Sequence, residues 1–304
     1  MAALRTARGH RCRGYSLCQL PPRADCAMIA AMWRRALAVA LALSAAACAV
    51  RQPASLRVAP DQVYAEHEGE ALHADVYAPR AGGPHPGVLL VHGGSWQRGK
   101  RGDMAAVARR LAERGYVAVS IDYRLAPDHP FPAQLEDCRA ALRWMRQQAG
   151  ALDVDPQRIA AFGYSAGGHL VALLATDQAP DADARVQAAV AGGAPTDLVR
   201  FGDARVMRRL LGGAPGELPT RARAASPLTY ASADDPPLFL YHGRYDWMVE
   251  PAHALVLRDR LADAGVAVQY LEVPRGHFTT FALDDEPVAA ATAFLDVWLT
   301  AAAQ

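Results

Sequence analysis

The stretch Gly163-Tyr164-Ser165-Ala166-Gly167 constrains the fold more than any other part of the sequence. An apolar run at 159–162 comes before it, and a helical run at 169–175 follows it. A serine between a buried strand and a helix must lie on a very tight turn, which only residues without bulk can flank. The two glycines meet that requirement. The pattern therefore predicts a strand–turn–helix unit that presents Ser165 as a nucleophile, provided that the chain also supplies a base, an acid and an oxyanion hole.

Apolar runs alternate with helical patterns along the rest of the chain. Six runs predict buried strands, at 87–91, 116–121, 159–162, 186–190, 238–241 and 266–273. Residues 63–79 predict an antiparallel N-terminal hairpin with its turn at Glu68-Gly69-Glu70. Helical periodicity occupies 103–115, 132–149, 251–264 and 287–299. We therefore expect an α/β fold, with a mostly parallel central sheet flanked by helices on both faces.

One segment interrupts this alternation. Residues 199–230 are too long for a simple connection between two elements. We expect them to form a small cap insertion over the carboxyl ends of the strands. The alternative is a surface excursion that has no role in substrate binding.

Side chains that could activate a serine follow two later strands. Asp246 comes after the fifth buried run, and His277 comes after the sixth. Since the carboxyl ends of parallel strands meet at one edge of a sheet, we expect both residues close to Ser165. A serine hydroxyl is a weak nucleophile near neutral pH, so His277 would accept its proton while Asp246 orients the imidazole. Asp197, after the fourth run, is the alternative acid.

The loop after the first buried run reads His92-Gly93-Gly94-Ser95-Trp96. The tetrahedral intermediate of acyl transfer needs backbone N–H donors that no side chain obstructs. We therefore expect an oxyanion hole made by this loop and by the residue after the nucleophile, namely Gly93, Gly94, Ser95 and Ala166.

Four ring side chains near these segments need a role. Tyr164, which precedes the nucleophile, is a candidate for the substrate pocket. Trp96 is a second candidate, with packing beneath the loop as an equally open alternative. We expect His92 to brace the loop rather than react, and His169 to be structural.

The sequence contains no recognisable metal or cofactor motif. The histidines are scattered, and no H-E-x-x-H, C-x-x-C, G-x-G-x-x-G or P-loop pattern occurs. We therefore expect neither a metal nor a cofactor. Seven arginines and one aspartate lie up to residue 48, so that the remainder carries a net charge of about −5 against +1 for the whole chain. That balance gives no indication of nucleic-acid binding, and the oligomeric state stays open.

The N-terminal residues are expected to lie outside the fold. Residues 32–48 combine two arginines, a short apolar block and Cys48, which is the layout of a secretory signal. The apolar block is too short to span a membrane as a helix. Ala45-Ala46-Ala47-Cys48 resembles a bacterial lipobox, which implies export and a lipid anchor on Cys48. Residues 1–31 would then be a non-native or atypical extension, with Met32 or Met28 as the start. Residues 49–62 would be a tether to a domain at 63–304.

Together the motifs of this domain resemble the esterase and lipase branch of the α/β-hydrolase superfamily, in particular hormone-sensitive-lipase-like and feruloyl- or acetyl-xylan-esterase-like carboxylesterases. Segments 122–132, 225–229 and 234–237 extend the resemblance, which covers the chain from about residue 63 to its end. It implies the α/β-hydrolase fold and hydrolysis of short-acyl or aryl esters through an acyl-serine intermediate. Two features differ from the hormone-sensitive-lipase pattern: Ser95 replaces its third glycine, and no long cap precedes the first strands.

Two other functions stay open. The loop at 92–96 also resembles the HGGxW motif of kynurenine formamidases in the same superfamily, which implies arylformamidase or exopeptidase-like amide hydrolysis by the same residues. The third possibility is a catalytically silent binding protein on the hydrolase scaffold. The expected partner is a small-molecule ester, and the expected membrane contact is only the lipid anchor.

Overall fold

The computed structural model describes residues 56–80, 82–177, 181–282 and 285–300. The expected signal at 32–48, its lipid site Cys48 and the extension at 1–31 lie outside these ranges. So do residues 49–55 of the expected tether.

An eight-stranded sheet runs through the described part of the chain, in the order β1-β2-β4-β3-β5-β6-β7-β8. The pairs β1–β2 and β2–β4 are antiparallel, and the other five pairs are parallel. This is the predicted mostly parallel sheet with an antiparallel hairpin at its N-terminal side. The strands are β1 (Leu56–His67), β2 (Glu70–Pro79), β3 (His85–Val91), β4 (Val117–Ile121), β5 (Val154–Tyr164), β6 (Ala188–Gly192), β7 (Leu238–Gly243) and β8 (Val268–Val273).

The first strand is longer than the sequence indicated. β1 begins at Leu56, which pairs with Pro79, so residues 56–62 belong to the sheet and the tether prediction is wrong for them. The strand pairing shifts between Ala59 and Gln62. A bulge of this kind, on an edge strand that is mostly exposed, interrupts the alternation from which a strand is recognised.

Helices cover both faces of the sheet. They are α1 (Ala105–Glu113), α2 (Ala133–Gln147), α3 (Ala149–Leu152), α4 (Ala166–Thr176), α5 (Arg205–Leu211), α6 (Pro219–Ala224), α7 (Ala252–Asp263), α8 (His277–Ala282) and α9 (Glu286–Thr300). α2, α4 and α7 pack in one apolar core, whereas α1 and α9 pack in the core of the opposite face. None of the helices in the described ranges combines the length and apolar content that a bilayer span requires.

The two cores separate because neighbouring strand residues point to opposite faces. In β3, Leu89 and Val91 pack with α2 and α4, while Val88 and Leu90 pack with α1 and α9. All four side chains are fully buried. A strand covered on both faces in this way appears in the sequence as the continuous apolar run from which it was predicted.

The parallel register places the ends of the strands along one edge. Val91, the last residue of β3, lies opposite Gly163 near the end of β5. Gly243, the last residue of β7, lies opposite Val273, the last residue of β8. The segments after these four strands, which hold the predicted site residues, therefore emerge at the same edge of the sheet.

The predicted cap segment at 199–230 forms the two short helices α5 and α6. From α5, Nη1 of Arg209 donates a hydrogen bond to Oε1 of Gln97, at 2.8 Å. The carbonyl of Leu210 accepts one from the N–H of Phe131, at 2.7 Å. This segment therefore packs against the loops that follow β3 and β4, beside the edge where the site residues emerge.

Candidate active site

Ser165 lies between β5 and α4 with a backbone conformation that few residues adopt, φ 56° and ψ −121°. Its N–H donates a hydrogen bond to the carbonyl of Gly192, at 2.8 Å. A Cβ atom on Gly163 would lie 2.4 Å from the carbonyl of Gly167, and one on Gly167 would lie 2.0 Å from the carbonyl oxygen of Val91. Gly163 and Gly167 are therefore required, because a side chain at either position would clash with the neighbouring backbone. This close packing holds Ser165 half-buried at the edge of the sheet.

Ser165, His277 and Asp246 form a hydrogen-bonded chain. Nε2 of His277 lies 2.9 Å from Oγ of Ser165, and its Nδ1 lies 2.6 Å from Oδ2 of Asp246. Since a carboxylate accepts hydrogen bonds, Nδ1 carries the hydrogen and Nε2 is free to accept the serine proton. The structure therefore brings together the three residues that the sequence predicted to act jointly.

The carboxylate of Asp246 is buried but fully hydrogen-bonded. Its Oδ1 accepts from the N–H groups of Met248 and Val249, at 3.0 and 2.9 Å. Burial alone would raise the pKa of Asp246, but hydrogen bonds from His242, His277 and Val249 more than offset that effect, so its pKa lies well below the usual range. Asp246 is therefore ionised at neutral pH and able to stabilise an imidazolium at His277.

His242 is a residue of this site to which sequence reasoning gave no role. It is fully buried at the end of β7, and its Nε2 lies 3.3 Å from Oδ2 of Asp246. Its place four residues before Asp246, at the end of a buried strand, was the available signal.

Asp197, the alternative acid, has a local role in the structure. Its Oδ1 accepts hydrogen bonds from the N–H groups of Val199 and Arg200, both at 3.1 Å. The carboxylate therefore closes a turn at the start of the cap segment. Asp246 is the acid that contacts His277.

Tyr164 contacts the base as well as the cavity. Its hydroxyl donates a hydrogen bond to the backbone carbonyl of His277, at 2.5 Å. Its ring stacks on Phe281, with centroids 5.1 Å apart. Tyr164 thus lines the cavity next to Ser165 and also supports the backbone that carries the imidazole.

The predicted oxyanion loop packs directly on the nucleophile turn. A Cβ atom on Gly93 would lie 3.0 Å from the carbonyl oxygen of Tyr164. Gly94 has a φ of 114°, and Ser95 has a positive φ of 57°, which is strained for a residue with a side chain. Ala166 is the first residue of α4, where backbone N–H groups have no partner within the helix. The loop and the helix start therefore both adjoin Ser165.

His92 braces this loop, as the sequence suggested. Its Nδ1 donates to the carbonyl of Gly93, at 2.7 Å, and its ring stacks on Tyr123 with centroids 4.2 Å apart. The hydroxyl of Tyr123 donates in turn to the carbonyl of His92, at 3.0 Å. Burial lowers the pKa of His92, which keeps the ring neutral.

Trp96 packs beneath the loop, and its assignment to the substrate pocket is wrong. Its side chain is buried, and its Nε1 donates to Nδ1 of His169, at 3.1 Å. Nε2 of His169 therefore carries the hydrogen, which it donates to the carbonyl of Ala225, at 2.7 Å. The indole is turned inward because it satisfies a buried histidine on α4.

A cavity of about 360 Å³ opens beside Ser165. Its apolar wall is formed by Tyr164, Phe278 and Phe281, and Phe278 is largely exposed at its rim. A larger cavity of about 590 Å³ lies between α2 and α6 but contains none of Ser165, His277 and Asp246. The remaining residues around the smaller cavity, which we call the active-site cavity, are Gly93, Gly94, Arg98, Gly99, Asp103, Ser165 and His277.

No cluster of three or more His, Cys, Asp or Glu side chains that could hold a metal ion occurs in the described ranges.

Residues 74–261 match the model of the BD-FAE family. Among curated proteins, the probable carboxylic ester hydrolase LipM of Mycobacterium tuberculosis is 34% identical over 244 residues, which are 74% of this chain and 56% of LipM. Esterase LipQ of the same organism is 35% identical over 208 residues, covering 63% of this chain and 49% of LipQ. The chain thus spans about half the length of these curated relatives.

Solved structures of esterases share the fold of this chain. A truncated carbohydrate esterase from gut microbiota superposes with a TM-score of 0.72 at 23% identity, over 82% of this chain and 98% of that chain, and this likeness concerns the fold alone. Esterase 2 of Thermogutta terrifontis with butyrate bound has a TM-score of 0.67 at 26% identity, over 81% and 94%. The same esterase phosphonylated by sarin has a TM-score of 0.69 at 26% identity, over 81% and 96%.

Proposed function

The chain belongs to the BD-FAE family, within the esterase branch of the α/β-hydrolases, and we therefore propose that it is a serine carboxylesterase. It hydrolyses short-acyl or aryl esters through an acyl-Ser165 intermediate. The observation that carries this proposal is the hydrogen-bonded chain from Ser165 through His277 to Asp246. The esterase names of the relatives support the class of reaction.

The proposed reaction uses the two nitrogens of one imidazole. Oγ of Ser165 attacks the ester carbonyl carbon while Nε2 of His277 takes the hydroxyl proton. The carbonyl oxygen becomes an oxyanion, which accepts hydrogen bonds from backbone N–H groups. The imidazolium, stabilised by Asp246, then protonates the leaving alkoxide as the carbon–oxygen bond breaks, and the alcohol departs.

Water completes the cycle on the acyl-enzyme. Nε2 of His277 takes one proton of the water as its oxygen adds to the acyl carbon. When the second tetrahedral intermediate collapses, the same proton returns to Oγ of Ser165 and the carboxylic acid leaves. The N–H donors assigned to both intermediates are those of Gly94, Ser95 and Ala166.

The size and lining of the active-site cavity support small substrates. About 360 Å³ accommodates a short acyl chain or a single ring, and the walls formed by Tyr164, Phe278 and Phe281 favour apolar groups. The butyrate-bound esterase 2 of Thermogutta terrifontis also supports a short acyl chain.

The replacement Ser165→Ala tests the reaction. We expect kcat/KM on p-nitrophenyl acetate and butyrate to fall by several orders of magnitude, with an unchanged circular dichroism spectrum. Retention of more than about a tenth of wild-type activity would contradict the assignment. A fluorophosphonate probe should label the wild type and leave the variant unlabelled; a silent binding protein would not be labelled at all. Faster turnover of N-formylkynurenine than of either ester would favour arylformamidase activity.

We also propose that the enzyme is exported and anchored by a lipid on Cys48. The support is the charged and apolar pattern of residues 32–48, which ends in Ala45-Ala46-Ala47-Cys48. Full-length protein expressed in a bacterial host should incorporate radiolabelled palmitate and fractionate with membranes. Cys48→Ser should abolish the labelling, and labelling that persists in this variant would contradict the anchor.

A further inference from the structure

A second cavity of about 450 Å³ adjoins the active-site cavity. Gly94 and Arg98 line both cavities, so the loop after β3 forms their common wall. The far side of the second cavity is the start of α5, in the cap segment. Its residues are Gly94, Ser95, Gln97, Arg98, Arg205, Val206 and Arg209, and we call it the arginine cavity.

The charge of the arginine cavity is entirely positive. Three guanidinium groups line it, those of Arg98, Arg205 and Arg209, and no acidic side chain is among its described lining residues. Arg209 is held in place by Oε1 of Gln97, a neutral acceptor. Like charges gathered without a counter-ion repel one another, and an anion placed among them would relieve that repulsion.

Two of the three guanidiniums have no internal partner. In the described ranges, the side chains of Arg98 and Arg205 make neither a hydrogen bond nor an ion pair, and both are exposed to solvent. Their neighbour Arg208 behaves differently, since it pairs with Asp203 and does not line the cavity. Arg98 and Arg205 therefore line the arginine cavity with unpaired guanidinium groups, whereas the paired Arg208 lies outside it.

We propose that the arginine cavity is a subsite for a carboxylate carried by the ester substrate, so that the enzyme prefers acidic esters to neutral ones. This inference rests on the proposed esterase function. An ester whose carbonyl lies at Ser165 reaches Arg98 along the shared wall at Gly94. The planar guanidinium fork binds a carboxylate through two hydrogen bonds, which gives both affinity and orientation.

The active-site cavity is not itself the anion site. Asp103 lines it, with its Oδ2 accepting from the N–H of Lys100, at 3.1 Å. A substrate carboxylate held there would meet that acidic side chain, whereas the arginine cavity offers positive charge alone. The carboxylate therefore belongs on the part of the substrate that extends past the loop, whichever side of the scissile bond that part comes from.

Two matched pairs of esters test the subsite on both sides of the scissile bond. For the alcohol side the probes are 4-acetoxybenzoate and its neutral isostere 4-acetoxybenzamide. For the acyl side they are mono-4-nitrophenyl adipate and its methyl ester. The measured quantity is kcat/KM for the acidic ester divided by kcat/KM for its neutral partner. For the wild type we expect this ratio to exceed one in at least one pair. In Arg98→Gln and in Arg205→Gln it should fall about three- to tenfold, mainly through KM.

Arg208→Gln is the control, because it removes the same charge from the same helix outside the cavity. Its ratio should stay at the wild-type value, and 0.5 M NaCl should weaken the preference of the wild type. The proposal is overturned if the wild type turns over acid and neutral partners equally in both pairs, or if Arg208→Gln lowers the ratio as much as Arg205→Gln. Hydrolysis of none of the four esters would instead overturn the proposed esterase function, and this inference with it.

Discussion

Nε2 of His242 lies 3.3 Å from Oδ2 of Asp246, the same carboxylate oxygen that lies 2.6 Å from Nδ1 of His277. The carbonyl of Val249 is 2.9 Å from the same nitrogen of His242. Because a carbonyl and a carboxylate only accept hydrogen bonds, Nε2 carries the hydrogen and shares it between them. His242 therefore orients the carboxylate of Asp246, which in turn orients the imidazole of His277, and we assign His242 as a positioning residue.

Removing that donor should weaken catalysis without altering substrate binding. We expect His242→Leu to lower kcat on p-nitrophenyl butyrate by about tenfold, with KM nearly unchanged, because the carboxylate loses a charge-assisted hydrogen bond. His242→Gln can place an amide donor close to Nε2 and should recover most of the loss. Equal kcat values for His242→Leu and the wild type, in steady-state assays of folded protein, would remove the positioning role.

The site was predictable from sequence where a residue follows a strand end and has a distinctive chemical role. Ser165, Asp246 and His277 met both conditions. In the structure His242 belongs to β7, and its contact with Asp246 depends on how the chain turns after Gly243, so the four-residue spacing to Asp246 did not by itself identify the contact. Trp96 illustrates the opposite error, since an aromatic residue beside a functional loop can face either way, and its partner His169 is 73 residues away.

Tyr164→Phe tests the contact between the nucleophile turn and the base. The variant keeps the ring that lines the cavity but loses the hydrogen bond from the hydroxyl to the carbonyl of His277. We expect kcat to fall about three- to tenfold, because the imidazole is less firmly placed, while KM changes little. Tyr270→Phe is the control, since the hydroxyl of Tyr270 on β8 has no hydrogen-bond partner among the described residues. A similar fall in both variants would contradict this account.

The fold was predictable where a strand is covered on both faces, as β3 is, because the apolar run is continuous. β1 escaped prediction in its first half because it is an exposed edge strand with a bulge between Ala59 and Gln62. Its pairing with β2 is a tertiary interaction that propensity alone does not reveal.

Gly167→Ala and Gly150→Ala compare a glycine that the packing requires with one that has open space around it. Gly167→Ala should give insoluble or unfolded protein, because the added Cβ would lie 2.0 Å from the carbonyl oxygen of Val91, where strand and helix meet. Gly150→Ala, in α3, places its Cβ in open space and should be neutral or stabilising by up to about 1 kcal/mol. Soluble expression and urea unfolding distinguish these outcomes, and a Gly167→Ala protein as stable as the wild type would contradict the packing of the turn.

His169 should make the stability of the protein depend on pH below neutrality. Burial lowers its pKa to about 4, so the folded protein keeps the ring neutral at pH values where the unfolded chain takes up a proton. The stabilisation is fully present above the unfolded pKa of about 6.5 and is lost as the pH falls towards 4.

Between pH 7.5 and pH 5, the free energy of unfolding of the wild type should therefore fall by about 2 kcal/mol more than that of His169→Gln, in urea titrations of both proteins. The buried His253, whose pKa is also lowered to about 4, is present in both proteins and cancels in the comparison. Parallel pH dependences for the two proteins would show that the neutral ring, with its hydrogen bonds to Trp96 and Ala225, is not what the fold requires.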